Sequence, residues 1–308
     1  MNLPDHRPLH GFVAATYTPF HADGSLNLPG IEPQAHHFLA NGIAAVFIGG
    51  TTGEGHSLTL DERRALAGRW IEVARGTALR VVVHVGANCL EDARTLSAQA
   101  EQLGAAAISA LAPSYFKPRD TETLVAVCER IASAAPATPF YYYDIPPLTG
   151  LQLPAADFLD LARTRIPTLV GLKFSSPDLL TYQALRHAAG GPWDLPWGGD
   201  ETLLAALALG AQGAVGSTYN FAAPLYHRLL AAFTAGELDS ARAQQWRSGQ
   251  LIRLLARHGY LGASKALMGL IGIECGPVRL PLSQPSPEQV KTLRTELETL
   301  GFFDWLKP

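Results

Sequence analysis

The chain has 308 residues, 47% of them hydrophobic and 17% charged, with a formal net charge of -3. That length suits one α/β barrel with a terminal extension, and the near-neutral balance gives no electrostatic reason to expect nucleic acid or an anionic membrane as a partner. Three cysteines, an odd number without CxxC spacing, suggest neither a disulfide framework nor a zinc site and fit a reducing cytoplasm.

The N-terminal MNLPDHRPLHG lacks a basic stretch followed by an apolar one, and no later run has the length of a membrane span, so export and insertion are not expected. From there short β-type runs alternate with helical patterns. GFVAATY (11–17), AAVFIGG (44–50), RVVVHVGA (80–87) and AAAISALAP (105–113) are the first four, and FYYYDIP (140–146), TLVGLKFSS (168–176), DLPWGG (194–199) and GAVGSTY (213–219) the next four. Between them, stretches such as LDERRALAGRWIEVARG repeat apolar residues at three- and four-residue steps, and Thr59 with Glu62 forms a capping-box pattern ahead of that helix. Eight such alternations predict an α/β fold, a (β/α)8 TIM barrel. A doubly wound open sheet is the rival, but GFVAATYTPF is not followed by the GxGxxG turn such a sheet usually carries. Residues 1–222 are expected to hold the barrel strands and active site. Helices over 222–235, 238–258, 262–272 and 286–300 would make 223–308 the closing helix and a C-terminal helical extension of the same domain.

Barrel enzymes carry their chemistry at the C-terminal ends of strands. Four predicted strand ends stand out here: GGTTGEGHS, YYYDIP, GLKFSS and GGDE. Lys173 is one of only five lysines against nineteen arginines, and it follows the apolar run LVGL. An ammonium there loses hydration, which favours the neutral amine that attacks carbonyls. The plainer alternative is a strand-end lysine reaching into solvent. Strand alternation puts Tyr141 and Tyr143 on one face and Tyr142 on the other; Tyr143, nearer the strand end, is the better candidate for a proton relay. Aromatic strand residues also serve simply as core.

In GGTTGEG, Gly50 and Gly53 allow turns that expose amides, while Thr51 and Thr52 add hydroxyl donors for a carboxylate; an ordinary Gly/Thr loop reads the same way. Asp200 and Glu201 have two readings as well, as acceptors for hydroxyls of a sugar-like tail or as acids in the first turn of a helix. The ten histidines offer only the adjacent pair His36 and His37, with neither HxH nor HExxH spacing, so no metal site is indicated.

GGTTGEG, YYYDIP, GLKFSS and GSTYN, in that order and spread over nearly the whole chain, resemble the N-acetylneuraminate lyase and dihydrodipicolinate synthase family of class I aldolases. The resemblance implies that Lys173 forms a Schiff base with a 2-keto acid, that Tyr143 relays a proton and that Thr51 and Thr52 hold the pyruvyl carboxylate. Ser175, Gly198, Asp200, Glu201 and Ser217 match positions that contact the sugar. It also implies no cofactor, a homotetramer, and a Tyr115 that reaches a neighbouring subunit's site, where a locally packed loop aromatic is the alternative.

Leu148 stands where the synthase branch has an arginine for a second substrate carboxylate, and Asp200 with Glu201 matches the lyase branch. Reversible cleavage of N-acetylneuraminate to N-acetylmannosamine and pyruvate is therefore the implied reaction. The alternatives are an aldolase or dehydratase acting on a 2-keto-3-deoxy sugar acid and, more distantly, a non-catalytic ligand-binding barrel. Two positions depart from the family pattern: Asp144, where asparagine or histidine is usual, and Ser175, where some members have threonine.

Overall fold

A computed structural model describes residues 6–189 and 191–307; Met1 to Asp5, part of the N-terminal stretch read above, lie outside the described residues. Seven parallel strands form one sheet: β1 (Gly11–Ala15), β2 (Ala45–Ile48), β3 (Arg80–His84), β4 (Ala107–Leu111), β5 (Phe140–Asp144), β6 (Leu169–Phe174) and β7 (Gly213–Gly216). Their order is β6-β5-β4-β3-β2-β1-β7. The remaining gap, between β6 and β7, is filled by residues 194–197. Asp194 bridges Gly171, and Trp197 bridges both Phe174 and Ala214, all in parallel.

The chain is thus a closed (β/α)8 barrel, and the open-sheet rival is excluded. The expected strand over 194–199 is reduced to isolated bridges. Pro196 has no N–H to give to a ladder, although its carbonyl still accepts from Phe174 N at 3.0 Å.

Side-chain alternation divides the core in two. Val13, Ala15, Phe47, Val82, Tyr141, Tyr143 and Val215 pack inside the barrel. Phe12, Ala14, Val46, Ile48, Tyr142 and Phe174 face outward and join the helices in a second, larger cluster. The strands are buried on both faces, which explains their near-continuous apolar runs.

The capping box ahead of the helix Leu60–Ala74 forms as expected: Thr59 Oγ1 accepts from Glu62 N at 3.2 Å and Glu62 Oε2 accepts from Thr59 N at 2.9 Å. Such a cap contributes about 1 kcal/mol. Among the described residues, no helix is long and apolar enough to cross a membrane.

After β7 the chain turns into Tyr219–Thr234, Leu238–Arg257, Tyr260–Leu270 and Pro287–Leu300. The first of these begins before its expected start at 222 and is kinked at Ala222, where φ is -126°. The chain between Leu270 and Pro287 has no helix or strand, and it folds back over the barrel mouth.

Candidate active site

A cavity of about 690 Å3 opens over the C-terminal ends of the strands. Its lining includes Thr51 and Thr52 after β2, Tyr143 on β5, Lys173 and Ser175 around the end of β6, and Gly198, Asp200 and Glu201 beyond the 194–197 segment. Ser217, just past β7, completes that side. The segments that the sequence singled out therefore converge because each follows a parallel strand of one closed barrel.

Lys173 and Tyr143 are cross-strand partners in the β5–β6 register. Lys173 is only 5% exposed. Its Nζ lies over two aromatic faces, 4.0 Å from the Tyr143 ring centroid and 4.4 Å from that of Phe47. The Tyr143 hydroxyl is 3.4 Å from Thr51 Oγ1, a long hydrogen bond that links the phenol to the strand-two loop. Tyr141 shares the interior face, but its hydroxyl donates to Asp194 and it does not line the cavity. Of the two tyrosines that alternation put on one face, the one nearer the strand end, Tyr143, lines the cavity.

Behind Tyr143 stands the buried His84, its ring edge-on at 5.8 Å. Burial first, and then the Arg63 guanidinium, hold its pKa well below the usual imidazole value, so the ring is neutral. Arg63 is itself buried and donates to the carbonyls of His84 at 2.8 Å and Gly86 at 3.0 Å. Sequence reasoning passed over both residues, since a histidine inside a strand and an arginine on a helix carry no local signal of meeting.

At the other end of the cavity Asp200 is buried with one oxygen committed and one free. Oδ2 accepts from Thr218 N at 2.9 Å and Thr218 Oγ1 at 2.5 Å, while Oδ1 has no partner. Burial raises the Asp200 carboxyl to about 6, against the pull of the two Thr218 hydrogen bonds. Thr218 is backed in turn by Tyr226 at 2.6 Å, and Tyr226 by Ser248 at 2.8 Å. Gly216 is required here, because a Cβ would sit 1.7 Å from Asp200 Oδ1. Glycine is equally needed at 198, where a Cβ would lie 1.9 Å from Ser175 Oγ. Ser175 Oγ has no hydrogen-bond partner, and Ser217 Oγ meets the Tyr260 hydroxyl at 2.7 Å.

Tyr115 is the one expected site residue that does not line this cavity. It is 80% exposed beside Phe116, which is 85% exposed, with the two rings 5.0 Å apart. Leu148 is exposed and also outside the lining. Asp144 shares the outward parity of Tyr142 and is buried there, which pushes its carboxyl up to about 7. The lining further includes Ile252, Tyr260, Leu261, Gly262, Pro281, Leu282 and Ser283, none of which the sequence reading identified. Ile252 and Gly262 fall in stretches read only as helices, and the other five in stretches given no reading.

A closed parallel barrel with a buried lysine and titratable groups at its strand C-termini is the arrangement of a barrel enzyme. The chain belongs to the dihydrodipicolinate synthetase family, whose profile matches residues 8–300. It is 39% identical over 303 residues to an N-acetylneuraminate lyase from Rattus norvegicus, covering 97% of this chain and 95% of that protein. Among solved structures it resembles an N-acetylneuraminate lyase (sialic acid aldolase) from Aliivibrio salmonicida, with a TM-score of 0.93 and 40% identity over 96% of this chain and 98% of the other. A DHDPS from Cyanidioschyzon merolae shares 29% identity at a TM-score of 0.87, covering 95% of this chain and 98% of the other.

Proposed function

We propose that this enzyme is a Schiff-base aldolase that cleaves N-acetylneuraminate reversibly to N-acetylmannosamine and pyruvate. The observation that carries the reading is the position of Lys173 Nζ over the Tyr143 ring, in one cavity with Thr51, Thr52, Asp200 and Glu201. The lyase relatives, more similar to this chain than the synthase structure, support the substrate.

In this mechanism the carboxylate of the open-chain sugar acid is held by Thr51 and Thr52, which brings the C2 ketone to Lys173. The amine adds to C2 and water leaves, giving a protonated imine. The C3–C4 bond then breaks and its electron pair is taken up by the imine to form an enamine, while the proton of the C4 hydroxyl leaves by way of Tyr143. The Thr51 hydroxyl, 3.4 Å from the phenol, extends the path of that proton. N-acetylmannosamine departs, the enamine is protonated at C3, and hydrolysis returns pyruvate and the free lysine. The tail hydroxyls are met by Asp200, by Glu201 and by the hydroxyls of Ser175 and Ser217, all on the cavity wall, with Gly198 leaving room for Ser175.

The exposed Tyr115–Phe116 pair supports a homotetramer in which Tyr115 reaches a neighbour's cavity. Free Cys89, Cys128 and Cys275 support a reducing, cytoplasmic setting.

Borohydride reduction in the presence of pyruvate, followed by peptide mass mapping, tests the reading. A single adduct is expected on Lys173, and Lys173→Ala should lose both the adduct and turnover. An adduct elsewhere, or none on folded protein, overturns the Schiff-base reading. Pyruvate release from a non-acetylated 2-keto-3-deoxy sugar acid alone would keep the chemistry and reject the substrate.

A further inference from the structure

Glu54 has the only positive φ of any non-glycine among the described residues, 54°, and it lies two positions beyond Thr52. A side chain with a Cβ is strained in that left-handed conformation, so surrounding contacts must hold it there. The contacts are specific. Glu54 Oε1 pairs with Lys265 Nζ at 2.8 Å, and neither side chain is more than 1% exposed. Glu54 Oε2 accepts the backbone N–H of Arg279 at 2.8 Å, 225 residues away in sequence. Lys265 Nζ also donates to the Pro277 carbonyl at 2.7 Å.

Phe20 forms the base of this arrangement. Lys265 Nζ and the Arg279 guanidinium each lie 4.3 Å from its ring centroid, and Phe20 N donates to the Cys275 carbonyl at 3.1 Å. Gly276 approaches so closely that a Cβ would meet the Phe20 carbonyl oxygen at 1.9 Å. The Arg279 side chain reaches the carbonyls of Gly24 and Ser57 as well as Glu62. These bonds join the loop that bears Thr51 and Thr52 to the segment running into Pro281, Leu282 and Ser283, and both line the cavity.

Stability alone does not call for such a pair, because apolar residues of similar volume often serve a buried site as well or better. A carboxylate that must meet a lysine and a backbone N–H at once does impose geometry. We propose that Glu54 and Lys265 are positioning residues whose buried contact holds the Thr51–Thr52 loop and the Pro281–Ser283 wall in fixed register, so that the two ends of one substrate are gripped together. The inference rests on the reading above, in which Thr51 and Thr52 take the keto-acid carboxylate.

The test compares wild type with Glu54→Gln/Lys265→Met, which removes both charges at similar volume, and with Glu54→Asp, which keeps the charge but shortens its reach and covers the case in which the double variant does not fold. Each is trapped with borohydride over graded pyruvate, assayed for cleavage of N-acetylneuraminate, and melted. The double variant should melt close to wild type. Half-saturating pyruvate and KM should each rise roughly tenfold to a hundredfold, the scale on which small misplacements act, with a smaller loss in kcat. Glu54→Asp should move in the same direction. Wild-type saturation and KM in a folded variant, with or without a lowered melting point, would make the pair a structural filler and overturn the inference while leaving the aldolase reading intact. A wild type that traps no pyruvate overturns both.

Discussion

The residues proposed to carry the chemistry owe their character to where the barrel buries them. Asp200 illustrates this, since its free Oδ1 and its carboxyl raised to about 6 arise from enclosure behind Gly216 and Thr218. In the proposed mechanism the ionised Asp200 carboxylate accepts from sugar hydroxyls, and protonation weakens it as an acceptor. Because the proton is taken up as pH falls through about 6, kcat/KM for N-acetylneuraminate should decline on the acid side of that value. Asp200→Asn should have a raised KM, and the part of the decline due to this group should be absent. Profiles measured from pH 5 to 8 check the expectation, and an unchanged acid limb in the variant would remove Asp200 from the substrate contacts. The sequence already marked Lys173 by its scarcity and its apolar run, and Asp200 by the glycines before it. His84 and Arg63 gave no comparable sign, because their pairing joins a strand to a helix through space.

Among the elements, the helix Leu60–Ala74 does more than cover the barrel. Its Glu62 caps the helix start and also pairs with Arg279 of the C-terminal segment, Nη1 to Oε2 at 2.8 Å. The Arg279 contact, reinforced by the Thr59 hydrogen bonds, lowers the Glu62 carboxyl from its ordinary 4.5 to about 2. A carboxyl depressed on folding stabilises the protein above its unfolded value, and that contribution is lost as pH falls through the folded one. The wild-type melting temperature should therefore drop as pH falls from about 4.5 towards 2 by an amount that Glu62→Gln does not share. Near neutral pH the variant should melt lower than wild type. Calorimetry across that range checks both, and parallel curves would mean that the pair contributes nothing to folding. The capping box was legible from Thr59 and Glu62 alone, three residues apart. Its second partner was not, since nothing local connects Glu62 to Arg279.

At the scale of the whole molecule, the most exposed large apolar groups include Tyr115, Phe116 and Leu280. Tyr115 and Phe116 follow β4, the backbone N–H of Tyr115 donates to Asn88 Oδ1 at 3.1 Å, and the two rings meet edge to face. An ordered aromatic pair left in solvent is the kind of surface that association covers. In the proposed tetramer, Tyr115→Ser/Phe116→Ser should shift the protein to a smaller species in sedimentation, with the melting temperature of the individual subunit little changed. An unaltered sedimentation profile would place the contact elsewhere.

The sequence by itself determined the barrel and most of the cavity lining that the strand ends supply. Period-two and period-3.6 patterns are local properties, and in a parallel barrel every strand end points to the same rim. Thr51, Thr52, Tyr143, Lys173, Ser175, Gly198, Asp200, Glu201 and Ser217 could therefore be selected one at a time from strand ends and family motifs, and all of them line one cavity. Only the tertiary structure decided how that cavity is closed. Tyr260 to Gly262 and Pro281 to Ser283 complete it from a helix and a connection whose sequence shows no sign of a site. It likewise decided that Tyr143 rather than Tyr141 faces the chamber, and that Glu54 leaves the strand-two loop to pair with Lys265. Contacts of this kind depend on chain closure and burial, which bring together residues that the order of amino acids keeps far apart.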